Sequence, residues 1–427
     1  MSAGICIMNK NAVALAADSA VTVGPHLAIH NSANKLFALS KVAPVGVIVY
    51  ANAEFMEVPI EILIKQYKSS LQNKKFSTLE EYVENFLEFL ISNKDLFRFG
   101  INEKKFVRNV YVDLLNGLGI DYQNELQNII TIVQRELTAD ELSAAQQNAI
   151  NTTKNLINTC PLLDNFDVTQ YIKETYFEEI KNYISSKFPW ILEPTLSELT
   201  SDICHFYNKN FFRSGYVGLA FAGYGENDIF PKMIHLHMSG VINEKVRYFQ
   251  KELVSINEER TATITPLAQT DVMQTFLFGI NDSFIGDIEK EIPLQIKNRF
   301  LNIDDAFFST GKKVEVQQKL NDMTSLIVQQ IIRKAQEAYL FPITNSVATL
   351  PIEELALLAE SMINITSLRR KVALDKNIGT VGGPIDVAII SKSDGFIWLK
   401  RKHYFDHSYN PQYFYSHYML TKGGTDD

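Results

Sequence analysis

Three residues near the start of the chain carry groups that do chemistry when brought together: Ser2, Asp18 and Lys35. A serine hydroxyl is a weak nucleophile until a base takes its proton. If Met1 is removed, Ser2 supplies that base itself, because an α-amine titrates at about pH 7.7–8.0. Ser2 is small and is followed by Ala3, which suits loss of Met1. A lysine close by lowers the pKa of both hydroxyl and amine through its positive charge. An aspartate keeps that lysine charged and oriented, since an unpaired buried charge is costly. The chemistry is attack on a carbonyl carbon by a hydroxyl whose own amine is the base. An ester forms and water then cleaves it.

Two apolar runs must position these groups. Ile5-Cys6-Ile7-Met8 and Ala12 to Ala17 flank a turn at Asn9-Lys10-Asn11, which predicts a β-hairpin buried on both faces. Further strands are expected at 27–30, at 35–39 and over Val45-Gly46-Val47-Ile48-Val49-Tyr50-Ala51, the last from its β-branched content. A helix is expected from Pro59, where proline suits the first turn. From about Ser77 to Asn210 the pattern is helical, with Ser77, Thr138 and Thr195 as N-caps and helices at 121–136, 139–158, 166–187 and 195–209. Strands return over 215–223, 232–239 and 246–254 as a meander with turns at Gly225-Glu226-Asn227 and at Gly240. Helix dominates from Asp271 to Leu340 and again from Leu350 to Ala373. A final hairpin spans 385–390 and 396–400.

The chain has 427 residues, long for one core, so an elaborated domain or two domains are expected. The organisation read from it is a core in pieces at 1–64, 211–288 and 349–402. Helical segments interrupt it at 65–210 and 289–348, and a tail follows at 403–427. A net charge of −8 argues against nucleic acid as the main partner. Three cysteines, Cys6, Cys160 and Cys204, far apart and odd in number, argue for a reducing compartment. With no run of roughly 18 apolar residues, the expectation is a cytoplasmic protein with no membrane partner. No cofactor is implied.

The order of hairpin, Asp18, Thr22, Gly24, Lys35-Leu36-Phe37 and a strand ending in a small residue resembles the proteasome β-type subunits and the bacterial proteasome-like peptidases. These are N-terminal nucleophile hydrolases. Gly215 to Gly240 is similar to the family's middle strand pair. Glu353 to Asn364 with Gly382 to Phe396 is similar to its last helix and final hairpin. The likeness covers about 60 residues at the start, 40 in the middle and 50 at the end. It implies a four-layer αββα sandwich of two antiparallel sheets with a large helical insertion. It implies cleavage of peptide (amide) bonds, with Ser2, Asp18 and Lys35 catalytic. Ala51 takes the place of the oxyanion-hole glycine, and Thr22 falls on a substrate-backbone position. A peptide or protein substrate, a homo-oligomer and a separate activator are the implied partners. The alternative within the family is a catalytically inactive scaffold that binds a protein through the helical insertion. The chain departs from the pattern in having serine for threonine and Ala20 for an arginine. The late Asp-x-x-Ser pair is not matched. Thr380 and Asp375 are the nearest substitutes, and Ser283 or Asn281 stands where a Gly-Ser stretch is usual.

Other groups are read as structural. His235 and His237 share one strand face, with no Cys or carboxylate at ligand spacing. His403, Asp406, His407 and His417 lie among aromatic residues as a packing tail. Gly382-Gly383 lacks the Lys-Ser/Thr of a phosphate loop. No GxSxG elbow and no HExxH helix occur.

Overall fold

The computed structural model describes residues 3–23, 28–40, 42–212, 215–300, 310–372, 381–403 and 405–414. The first hairpin consists of β1 (Ala3–Asn9) and β2 (Ala12–Ala17), paired antiparallel and buried along their whole length. Alternation sorts their side chains by face. Ile5 and Ile7 with Ala12, Ala14 and Ala16 face one way, and Cys6, Met8, Val13 and Leu15 face the other. Asn9 makes the turn: its Oδ1 accepts from the amides of Asn11 (2.9 Å) and Ala12 (3.1 Å).

A small ribbon follows, β3 (Val21–Val23) with β4 (Ala28–His30). Then come β5 (Leu36–Ala38) and β6 (Val45–Ala51). A second small ribbon, β7 (Glu54–Phe55) with β8 (Val58–Pro59), leads into α1 (Ile60–Leu71). The helix α2 (Leu79–Ser92) is capped one residue later than expected. The Thr78 hydroxyl accepts from the Glu81 amide, and the Glu81 carboxylate accepts from the Ser77 amide.

Four helices come next: α3 (Phe99–Val133), α4 (Ala139–Thr159), α5 (Thr169–Lys187) and α6 (Thr195–Phe206). They share one apolar core, into which Ile242 also packs. The helix expected over 121–136 is the end of the 35-residue α3. Thr138 and Glu141 form the full capping box. Thr195 is not a cap, because Pro194 holds that position; the Glu193 carboxylate takes the amide and hydroxyl of Ser197 instead.

The meander is β9 (Val217–Gly223), β10 (Lys232–Ile242) and β11 (Lys245–Ser255). Its second turn is at Asn243-Glu244, with φ of 47° and 59°, not at Gly240. Gly240 lies inside β10, where a Cβ would stand 2.8 Å from the Phe106 ring. The strand β12 (Ala262–Ala268) was not expected, because Pro266 interrupts its pattern. Among the described residues it is an edge strand paired with β1 alone, with Pro266 opposite Ile5, a place where a missing N–H is tolerated. The chain continues through α7 (Asp271–Phe278), α8 (Asp282–Phe300) and α9 (Thr310–Ala335). A π-helical turn at Gln336–Leu340 joins α9 to α10 (Phe341–Val347). Then come α11 (Ile352–Val372), β13 (Asp386–Ser391) and β14 (Gly395–Lys400).

Two five-stranded antiparallel sheets result, ordered β12-β1-β2-β13-β14 and β11-β10-β9-β6-β5. Three cores separate four layers. One lies between α1 and α2 and the second sheet, with Val45, Val47 and Val49 on it. One lies between the sheets, with Cys6, Leu15, Ile48 and Ala220. The third lies between the first sheet and α7, α10 and α11. The fold is the αββα sandwich expected. Among the described residues no helix is long and apolar enough to cross a membrane.

Candidate active site

Asp18 follows the last residue of β2, and Lys35 precedes the first residue of β5. The strands therefore deliver both side chains to one end of the sandwich. The Lys35 ammonium donates to Asp18 Oδ1 at 2.5 Å and to the Ala20 carbonyl oxygen. The Asp18 side chain is fully enclosed and that of Lys35 is 6% exposed. The Lys35 backbone is fixed as well, because its carbonyl accepts from the Val49 amide at 2.7 Å.

The Asp18 carboxylate is a four-way junction. Oδ1 accepts from the Ala3 amide (2.9 Å) as well as from Lys35. Oδ2 accepts from the Ala20 amide (3.2 Å) and from the Gly382 amide (3.0 Å). One side chain thus ties together the start of β1, the end of β2, the approach to β5 and the segment before β13. Ser19 strengthens the last link: its amide donates to the Gly382 carbonyl and its hydroxyl to the Pro384 carbonyl. Sequence reasoning did not find Ala3, Gly382 or Ser19, because three of the four bonds to Asp18 come from backbone amides, and Ser19 acts on backbone carbonyls, which no side-chain pattern marks.

Burial pushes the Lys35 ammonium below the usual lysine range, and the Asp18 carboxylate opposes that shift. A second cation, Lys402, adds to the downward push. Lys402 is itself paired with the buried Asp386, which stands opposite Ala17 in the sheet. Two lysine–aspartate pairs therefore share this end of the molecule.

Ala51 ends β6 with φ of 67°. This left-handed conformation costs a residue with a Cβ about 1–2 kcal/mol, which is why glycine suits the position. The Asn52 amide donates to the Tyr216 carbonyl, so the preceding ladder pair Tyr50–Gly218 is the hydrogen-bonded kind. The Tyr50 carbonyl points at β9, and the Ala51 N–H, in the same peptide plane, points the other way. That is the side of β6 on which Val49 meets Lys35. A backbone donor thus faces the β5 side of the strand end.

Of the residues singled out from sequence, Asp18 and Lys35 are brought into contact, and Ala51 ends the strand that Lys35 binds. Ser2, Asp375 and Thr380 lie outside the described residues. Thr22 sits in β3 opposite Ile29, and Ser283 in the first turn of α8; the side chains of both lie outside the described set. His235 and His237 are inward-facing residues of β10. Both Nε2 atoms meet the Tyr50 hydroxyl, at 2.5 and 2.7 Å. Burial holds both imidazoles neutral, lowering His235 to about 3 and His237 to about 4.

No family model matches the sequence, and no curated protein matches it. Among solved structures, the chain is similar to a Gly-1 mutant of Anbu from Hyphomicrobium sp. strain MC1. The identity is 9% and the TM-score 0.30, over 100% of both chains. It is also similar to Anbu (ancestral β-subunit) from Yersinia bercovieri, at 9% identity and a TM-score of 0.27, over 99% of this chain and 98% of that one. Superpositions this loose do not assign a fold, which rests here on the sheet order and the four layers.

Proposed function

We propose that the chain is a proteasome-like N-terminal nucleophile hydrolase that cleaves amide bonds. One observation carries the reading. The buried Lys35–Asp18 pair is bound to the amide nitrogen of Ala3, the atom that joins Ser2 to the chain. In this reading Met1 is removed and the Ser2 hydroxyl attacks the carbonyl carbon. Its proton passes to the Ser2 α-amine. Lys35 lowers the pKa of both groups, and Asp18 holds Lys35 in place. The Ala51 N–H donates to the oxyanion, a kind of contact typically worth about 3 kcal/mol. The amine leaving group takes the proton, an ester remains on Ser2, and water activated by the same amine releases the acid. A cytoplasmic location, a peptide substrate and a homo-oligomer belong to the same proposal.

A second reading has an observation in its favour. Helix α3 exposes Ile120, Ile130 and Ile132, the last 81% exposed, as a surface that binds a protein partner would. In that reading the chain is an inactive scaffold.

Intact mass with and without a peptide epoxyketone or a β-lactone separates the two. Loss of Met1 and one adduct on Ser2, absent from Lys35→Ala, supports the hydrolase. Retained Met1 leaves no amine beside the hydroxyl and sinks it.

A further inference from the structure

The strained peptide at Ala51 needs something to hold it, and a buried polar network lies on both sides of it. On the preceding residue, the Tyr50 hydroxyl is shared between His235 Nε2 at 2.5 Å and His237 Nε2 at 2.7 Å. Tyr50 belongs to β6 and the histidines to β10, with β9 between them. The tyrosine reaches across because its ladder partner is Gly218, where a Cβ would stand 2.2 Å from the Tyr50 ring. On the following residue, the Asn52 amide is held by the Tyr216 carbonyl at 3.1 Å. The Tyr216 ring lies on His237, with centroids 4.4 Å apart and planes at 33°. The same histidine thus braces both neighbours of Ala51.

A single phenol proton cannot serve two acceptors. The hydroxyl donates to one Nε2 and accepts an N–H from the other, so the two neutral imidazoles take opposite tautomers. Such a network is satisfied only when the two rings take opposite tautomers around the hydroxyl, which ties all three side chains together and suits it to fixing a conformation.

We propose that Tyr50, His235 and His237 are positioning residues that hold the Ala51 peptide in its left-handed conformation, and so aim the Ala51 N–H at the reacting carbonyl. The catalytic half of this statement rests on the hydrolase reading; the conformational half does not.

The test is a double-mutant cycle of Tyr50→Phe with Ala51→Gly in the full chain. Tyr50→Phe keeps the ring in the Gly218 gap and removes only the shared hydroxyl. Glycine adopts positive φ without strain, so Ala51→Gly makes the brace unnecessary. Two quantities are read: the thermal midpoint, and the rate of β-lactone adduct formation on Ser2. Tyr50→Phe alone is expected to lower the midpoint by several degrees and to slow the adduct about tenfold, within the range for losing part of an oxyanion contact. In the Ala51→Gly background both losses should shrink by half or more. Losses equal in the two backgrounds would mean that the hydroxyl stabilises the fold without acting on Ala51, and would overturn the proposal. If Tyr50→Phe does not fold, His237→Gln, which keeps a polar partner for the hydroxyl, takes its place in the cycle. Coupling in the midpoint with no adduct on the unaltered protein would overturn the hydrolase reading and the catalytic half, leaving the brace.

Discussion

Asp18→Asn and Lys35→Met remove the two ends of one ion pair, and the structure assigns them unequal costs. In Asp18→Asn the ammonium keeps the Ala20 carbonyl but loses its counter-charge inside a dry site. Its cheapest recourse is to lose the proton, which at pH 7 costs a lysine about 5 kcal/mol at most. The new amide also presents hydrogens toward one of the N–H groups that Asp18 now accepts, leaving a donor unpaired at about 1–3 kcal/mol. Against this stands the relief of no longer burying a carboxylate. The net loss is on the order of 4–6 kcal/mol. In Lys35→Met the carboxylate keeps three backbone donors, from Ala3, Ala20 and Gly382. One charge-assisted bond is lost and the burial of an ammonium is relieved, for a net loss of about 1–2 kcal/mol. The gap of about 3 kcal/mol is roughly a hundredfold in local opening. Hydrogen exchange at the Gly382 and Ala3 amides, read by mass spectrometry beside the thermal midpoint, measures it. Equal losses, or a larger loss for Lys35→Met, would refute the view that Asp18 is the junction and Lys35 its passenger.

Three other outcomes follow from the same geometry. Gly218→Ala drives a methyl into the Tyr50 ring and should cost about 2–3 kcal/mol in a thermal melt; in a Tyr50→Val background, where the ring is gone, the same substitution should cost little. Acid should unfold the protein early. Histidines of the unfolded chain titrate near pH 6.5, while His235 and His237 stay neutral down to about 3 and 4. The unfolded state therefore binds more protons below pH 6.5, and stability falls as the pH drops, by about 2 kcal/mol at pH 5 for His235 alone. Urea midpoints between pH 7 and 4.5 should fall less steeply in His235→Gln/His237→Gln, and an unchanged slope would contradict the assignment. Arg247→Met should loosen the helical insertion. Arg247 donates to the carbonyls of Tyr207 (2.8 Å) and Lys209 (2.6 Å) and to the Ser239 hydroxyl (2.9 Å). Losing it leaves buried acceptors at the end of α6 unpaired, at about 2–4 kcal/mol, and limited proteolysis near residue 210 should report it.

Much of the sandwich was legible because its strands are buried on both faces. An unbroken apolar run of six or seven residues, as in β1, β2 and β6, leaves few alternatives. The strand β12 was not legible, because ATITPLA carries a proline and two threonines and is a strand by virtue of its partner β1. The cap shifts at Thr78 and Pro194 show the same limit at small scale. Several residues near each start can cap, and the tertiary contacts choose among them. In the candidate site, Asp18 and Lys35 were legible as side chains of the right type at the ends of predicted strands. Their partners were not, since the Ala3, Ala20 and Gly382 amides belong to the backbone. Nor did the alternation of His235 and His237 reveal their use. What gives those two residues a shared partner is the absence of a side chain at Gly218, which lets a tyrosine reach across an intervening strand.

The position of Asp18 explains why the site needs the whole sandwich rather than a loop. Its carboxylate gathers donors that are 15 and 364 residues away in sequence. The first-sheet segments, β1, β2 and the approach to β13, supply three backbone donors. The fourth donor, Lys35, leads into β5 at the edge of the second sheet. Separating the two sheets at this end would therefore break the Lys35–Asp18 pair, and neutralising the pair would remove a polar bond that spans the apolar interface between them. Stability and any chemistry at Ser2 are coupled through one carboxylate. Substitutions at Asp18 should accordingly move the melting temperature and adduct formation together. Substitutions at Ala51 or Tyr50, which lie wholly within the second sheet, should move adduct formation further for a given change in melting temperature.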